Sequence, residues 1–181
     1  AVGQILLADD EQTFRESTAE LFRQQGYECD CVQDAYAAAE KLGKNSYDLL
    51  IADIKMQGNS GLELIKQLHE IARGTPAILV TAFPSQRSAI EAVQLPVAAY
   101  MVKPIDFEEL KKNVAEAIKR KSLFQTVSDT KHRLEDWQKQ MQGIEEALQK
   151  KNHKKLFSDS IKNFLHLSMI NINASFHDFK N

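Results

Sequence analysis

The stretch "ILLADDEQ", residues 5–12, sets an apolar run of strand length directly against three acids, Asp9, Asp10 and Glu11. An uninterrupted run of this kind belongs to a strand covered on both faces, and such strands build parallel sheets. Carboxylates this close repel one another, and each loses hydration if the strand end lies in a crevice. Something beyond the strand end must therefore make three acids tolerable there.

Reading outward, runs of the same length return as "YECDCV" (27–32), "DLLIA" (48–52), "AILVT" (77–81) and "AAYMV" (98–102). Helical spacing fills the intervals. Phe14, Thr18, Leu21 and Phe22 mark one face of a first helix, and Ala35, Ala38, Ala39 and Leu42 a second. Leu62, Ile65, Leu68 and His69 mark a third, and Ile90 and Val93 a shorter fourth. Asp106 is placed to cap a fifth, "FEELKKNVAEAI", with Glu109 positioned for a capping box. Strands separated by helical crossovers are parallel, and right-handed crossovers put helices on both sides of the sheet. The expected fold is α/β, a doubly wound five-stranded parallel sheet whose working crevice lies at the carboxyl ends of the strands.

Those ends carry Asp9-Asp10-Glu11, Asp53, Thr81 and Lys103-Pro104. Singly, each has an ordinary reading: a helix cap, a β-branched strand residue, a solvated charge. Four suitable strand ends together point to a site. Asp10 and Asp53, helped by Asp9, offer oxygen ligands suited to Mg²⁺, a cation that also relieves their repulsion. With Mg²⁺ present, the Asp53 carboxylate can act as a nucleophile toward a phosphoryl group. Lys103 and the Thr81 hydroxyl can then neutralise and hold the phosphoryl oxygens.

These residues resemble the receiver domain of two-component response regulators, over about residues 3–120. The matching motifs are "ADDE", "IADIKMQGNSGLELI", "LVTA" and "YMVKPIDFEEL". The resemblance implies a flavodoxin-like sheet of order 2-1-3-4-5, with Asp53 as phosphoacceptor and Asp9 and Asp10 as the acidic pair. It places Mg²⁺ on Asp10, Asp53 and the main-chain carbonyl of Lys55. Thr81 becomes the switch hydroxyl, Lys103 the phosphate-pairing lysine, and Tyr100 the switch aromatic; the Lys103–Pro104 bond is expected to be cis. The implied partner is a sensor histidine kinase. Two loops depart from the family pattern: Gln57 follows Met56 where Pro is usual, and Leu95-Pro96-Val97-Ala98 replaces a Gly-Ala pair, while Gly61 is retained. The Lys55 side chain is expected to extend into water.

Past about residue 120 the composition changes. Leu123, Val127, Thr130, Leu134, Trp137, Met141, Ile144 and Leu148 alternate steps of four and three, about three and a half heptads. They run in phase with the fifth helix, so a single helix is expected to leave residues 1–120 and enter a coiled coil within 121–181. After a break at "KKNHKK" (150–155), Phe157, Ile161, Phe164, Leu165, Ser168, Ile172, Phe176 and Phe179 mark another helical face. The all-α tail is read as a homodimer seam, with a helical hairpin folded on one chain, or a partial output segment, as the alternatives. His132 and His166 lack a phosphotransfer motif and read as surface or interface residues.

Composition narrows the function classes. The chain of 181 residues carries a net charge of −2, which divides into −5 over 1–104 (9 basic, 14 acidic) and +3 over 105–181 (14 basic, 11 acidic). A charge of +3 without a helix-turn-helix pattern argues against nucleic acid as a partner of these residues. No run approaches the roughly 20 apolar residues of a membrane span, and no signal-peptide pattern opens the chain, so a cytoplasmic location is expected. Cys29 and Cys31, the only cysteines, read as small hydrophobes on one side of a strand. The leading expectation is a phosphoacceptor switch with no turnover of an external substrate, controlling its tail or a downstream protein. The alternatives are a transcription regulator lacking its DNA-binding part, or a haloacid-dehalogenase-type phosphatase. The latter requires D-x-D after the first strand, where this chain has adjacent Asp9 and Asp10.

Overall fold

The computed structural model describes residues 2–56, 61–95, 97–150 and 158–178. Five parallel strands, β1 (Gln4–Ala8), β2 (Glu28–Val32), β3 (Leu49–Asp53), β4 (Ala77–Thr81) and β5 (Val97–Val102), pair in the order β2-β1-β3-β4-β5. The helices between them are α1 (Gln12–Gln24), α2 (Ala35–Lys44), α3 (Gly61–Ile71) and α4 (Gln86–Val93). α5 (Phe107–Lys150) and α6 (Ser158–Asp178) follow.

Strand alternation divides the core into two layers. On β1, β3 and β4, Leu6, Ala8, Leu50, Ala52, Ala77 and Leu79 face α2, α3 and α4. Their neighbours Ile5, Leu7, Leu49, Ile51, Ile78 and Val80 face α1 and the first turns of α5. All twelve are fully buried, which is why these segments read as continuous apolar runs. Cys29 and Cys31 are free and join the α1–α5 layer, on one side of edge strand β2 as expected.

The helices correct the expected faces in detail. α1 buries Ala19 beside Thr18 and Phe22, while Leu21 is exposed. α3 buries Leu64 with Leu62, Ile65 and Leu68, and His69 lies outside. On α4 the prediction inverts: Ser88 and Ala92 are buried, whereas Ile90 and Val93 are 55% and 86% exposed. The caps follow local chemistry. Asp34 Oδ1 accepts the Ala37 amide at the start of α2, and Asp106 Oδ1 accepts the amides of Glu108 and Glu109 at the start of α5.

The chain forms two compact units, Ala1–Lys121 and Ser122–Asn181, and α5 continues unbroken from one into the other. Both core layers belong to the first unit. Lys121 ends it with a pair of bonds: its Nζ donates to the Tyr47 carbonyl at 2.7 Å and to Asp48 at 3.2 Å.

In the second unit, Leu165 is the one buried side chain among the described residues. Of the heptad positions, Val127, Leu134 and Met141 are half-buried, while Leu123, Thr130, Trp137 and Ile144 are exposed. Lys131 and Glu145 are half-buried too, so the covered stripe is rotated away from the predicted seam. On α6, Ser168 and Ile172 are half-buried as their spacing implies, but Phe164 is exposed. Gln57, Phe157 and Phe179 lie outside the described residues, as do Pro96 and the side chains of Leu148, Ile161 and Phe176.

Candidate functional site

Parallel strands of similar length end on one rim, which brings residues distant in sequence together. Asp9 follows β1, Asp53 ends β3, Thr81 ends β4, and Lys103 follows β5. Asp9 and Thr81 are fully buried and Asp53 nearly so, while Asp10 is exposed.

Lys103 ties this rim together. Its Nζ donates to Asp9 Oδ2 at 2.7 Å, Asp53 Oδ2 at 3.2 Å and Glu11 Oε2 at 3.3 Å. The ammonium also lies 4.3 Å from the centre of the Phe14 ring, a cation–π contact. A single cation is thus shared by the buried acids at the ends of the first and third strands. Each acid uses its other oxygen on a backbone amide: Asp9 Oδ1 accepts from Glu11 N at 2.9 Å, and Asp53 Oδ1 accepts from Lys55 N at 3.0 Å. The Arg15 guanidinium donates to the Asp9 carbonyl at 2.6 Å, fixing the strand exit against α1.

Burial dominates the electrostatics of Asp9. It raises the carboxyl pKa above its ordinary value despite the bonds from Lys103 and the Glu11 amide. For Lys103, burial opposes the charged form, but Asp9 and Asp53 outweigh it and hold the ammonium pKa above its usual range. The Lys103–Pro104 peptide bond is cis.

Asp9, Asp10 and Asp53 each offer one carboxylate oxygen, all within 4.8 Å of one another. Three anionic oxygens of this spacing suit a hard divalent cation that keeps part of its water shell. The donor set therefore fits Mg²⁺.

Thr81 and Tyr100 have partners of their own. Thr81 Oγ1 accepts the Phe83 amide at 3.0 Å, and the Tyr100 hydroxyl lies 2.9 Å from Ser88 Oγ on α4. Lys55 is exposed as expected, and its ammonium also rests 4.4 Å from the centre of the exposed Phe83 ring. Strand-end reading located Asp9, Asp10, Asp53, Thr81 and Lys103. It did not foresee the contacts of Phe14 with Lys103, Phe83 with Lys55 and Ser88 with Tyr100, which join separate elements.

The model of the response regulator receiver domain family matches residues 5–115. Regulatory protein AtoC of Escherichia coli is 30% identical over 123 residues, covering 68% of this chain and 27% of that protein. Two-component response regulator PhoP of Pseudomonas aeruginosa is 30% identical over 121 residues, 67% of this chain and 54% of that protein. The chain thus spans between a quarter and about half of the length of these relatives. Among solved structures, the response regulator TrrA of Thermotoga maritima in complex with Mg²⁺-BeF is 35% identical with a TM-score of 0.58. The match covers 63% of this chain and 97% of that one. A CheY-like receiver domain from Methanospirillum hungatei has a TM-score of 0.65 at 24% identity, covering 67% and 98%, and supports the fold. With the family pattern spanning most of the first unit and its acids, hydroxyl and lysine gathered on one rim, the chain belongs to the response regulator receiver domain family.

Proposed function

We propose that this chain is a phosphorylation-controlled switch that accepts a phosphoryl group on Asp53 from a sensor histidine kinase. The observation that carries this reading is the Lys103 ammonium shared by Asp9 and Asp53 at the mouth of the three-carboxylate cluster. Asp10, Asp53 and the Lys55 carbonyl would hold Mg²⁺, with Asp9 beside them, and the ion supplies charge neutralisation during transfer. An Asp53 carboxylate oxygen forms a bond to phosphorus as the bond from phosphorus to the donor histidine nitrogen breaks, and the imidazole leaves with a proton. Lys103 exchanges a carboxylate contact for a phosphoryl oxygen, and the Thr81 hydroxyl turns from the Phe83 amide to donate to another. Tyr100 moves into the space that Thr81 vacates, coupling the site to the α4 face. The chain stores the phosphoryl group and turns over no external substrate.

The second unit is read as the dimerising part of a cytoplasmic protein. Its exposed Leu123, Trp137 and Ile144 call for cover, and a second copy supplies it symmetrically. The relatives' roles as transcriptional regulators favour a second reading, a receiver that serves a longer gene regulator. The gene sequence beyond residue 181 decides between the two.

Intact-mass spectrometry with a small phosphodonor and Mg²⁺ tests the acceptor. One phosphoryl group per chain is expected, with no labelling when Mg²⁺ is chelated before the donor is added and none in Asp53→Asn. Undiminished labelling of that variant would remove Asp53 from its assigned role.

A further inference from the structure

Ser88 lies at the meeting point of two features that the proposed switch leaves unconnected, the Tyr100 hydroxyl and the N-terminal cap of α4. Ser85 caps α4 by accepting the Ser88 amide at 3.1 Å, and the cap is reciprocal: the Ser85 amide donates to Ser88 Oγ at 3.3 Å. The same Ser88 Oγ lies 2.9 Å from Ser85 Oγ, 3.0 Å from the Ser85 carbonyl and 2.9 Å from the Tyr100 hydroxyl.

A serine hydroxyl has one proton and two lone pairs, so these four neighbours share a saturated oxygen. Either hydroxyl of the Ser88–Tyr100 pair can be the donor, and the 2.9 Å contact is a full hydrogen bond in both cases. Ser88 is buried, so a lost partner is not freely replaced by water. α4 is only eight residues long, and its first turn carries a large share of its hydrogen bonding.

Thr81 completes the geometry. Its hydroxyl accepts the Phe83 amide, which anchors the start of the segment joining β4 to α4, while Tyr100 anchors its far end at Ser88. The two switch side chains therefore hold opposite ends of one short segment, residues 81–88. We propose that Ser88 is the positioning residue through which α4 senses Tyr100: when the ring turns, the cap loses this hydrogen-bond partner and the first turn of α4 loosens. This rests on the switch reading given above and adds to it the group that receives the signal.

Tyr100→Phe removes one hydroxyl and leaves Ser85, Ser88 and the aromatic ring in place. Hydrogen exchange of the Ser88 and Ala89 amides should quicken about two- to tenfold in this variant, the effect of losing one ordinary hydrogen bond, with Phe22 in α1 unchanged as a control. Unchanged exchange at Ser88 and Ala89 overturns the latch. Beryllofluoride with Mg²⁺, a stand-in for the bound phosphoryl group, should quicken the same amides in the parent protein but not in Thr81→Ala. Acceleration in Tyr100→Phe with none on adding beryllofluoride leaves the latch standing and overturns the Thr81–Tyr100 switch on which its use depends.

Discussion

At the scale of single residues, Lys103 resolves the crowding of acids that opens the sequence. Its ammonium is 9% exposed and pairs with Asp9 and Asp53, which are no more exposed. Removing one partner from a buried ionic cluster strands the others. Lys103→Met should therefore lower stability in Mg²⁺-free buffer by about 3 kcal/mol, read from the urea midpoint, and Mg²⁺ should restore part of the loss. An unchanged midpoint would mean that the acids need no cation to fold. The pH dependence has a definite sign. Because the folded pKa of Lys103 lies above its ordinary value of 10.5, its contribution is complete below that pH and is lost as pH rises through the folded value. The positions of Asp9, Asp53, Thr81 and Lys103 were legible because every strand of a parallel sheet delivers its last residue to the same edge. The partner of Lys55 was not, since Phe83 comes from another loop and neither residue announces the contact.

At the scale of elements, the sequence specified where helices run better than which side they turn inward. Ile90 and Val93 have helical spacing, yet the buried side of α4 is Ser88 and Ala92. Periodicity detects an apolar stripe, but neighbouring elements decide whether that stripe is covered. α5 repeats the lesson. Its heptads predicted a continuous helix, which is present, while Trp137 and Ile144 on that seam remain 57% and 52% exposed. The open positions make the dimer testable. Sedimentation equilibrium should find the parent protein dimeric at tens of micromolar, with Trp137 emission red-shifting on dilution. Ile144→Lys should drive it toward monomer while Asp53 still accepts phosphoryl. A monomeric parent would place the heptads against their own chain.

At the scale of the whole molecule, the two units differ in what holds them together. Both core layers lie in the first, whereas Leu165 alone is buried among the described residues of the second. A chain ending at Lys121 should keep the receiver's thermal transition within a few degrees, followed by circular dichroism. In the full chain a second transition should depend on protein concentration, as association-linked order does. A receiver that fails to fold when shortened would show that the second unit contributes to its stability. The strand order has a further consequence, for the protein while it is being made. Asp9 and Lys103 stand 94 residues apart, and the strand that delivers the lysine is the last of the five to leave the ribosome. A nascent chain that has completed four strands holds its acids without their counter-charge. The site is therefore assembled last, and a chain stalled before residue 103 holds Asp9 and Asp53 with no lysine between them.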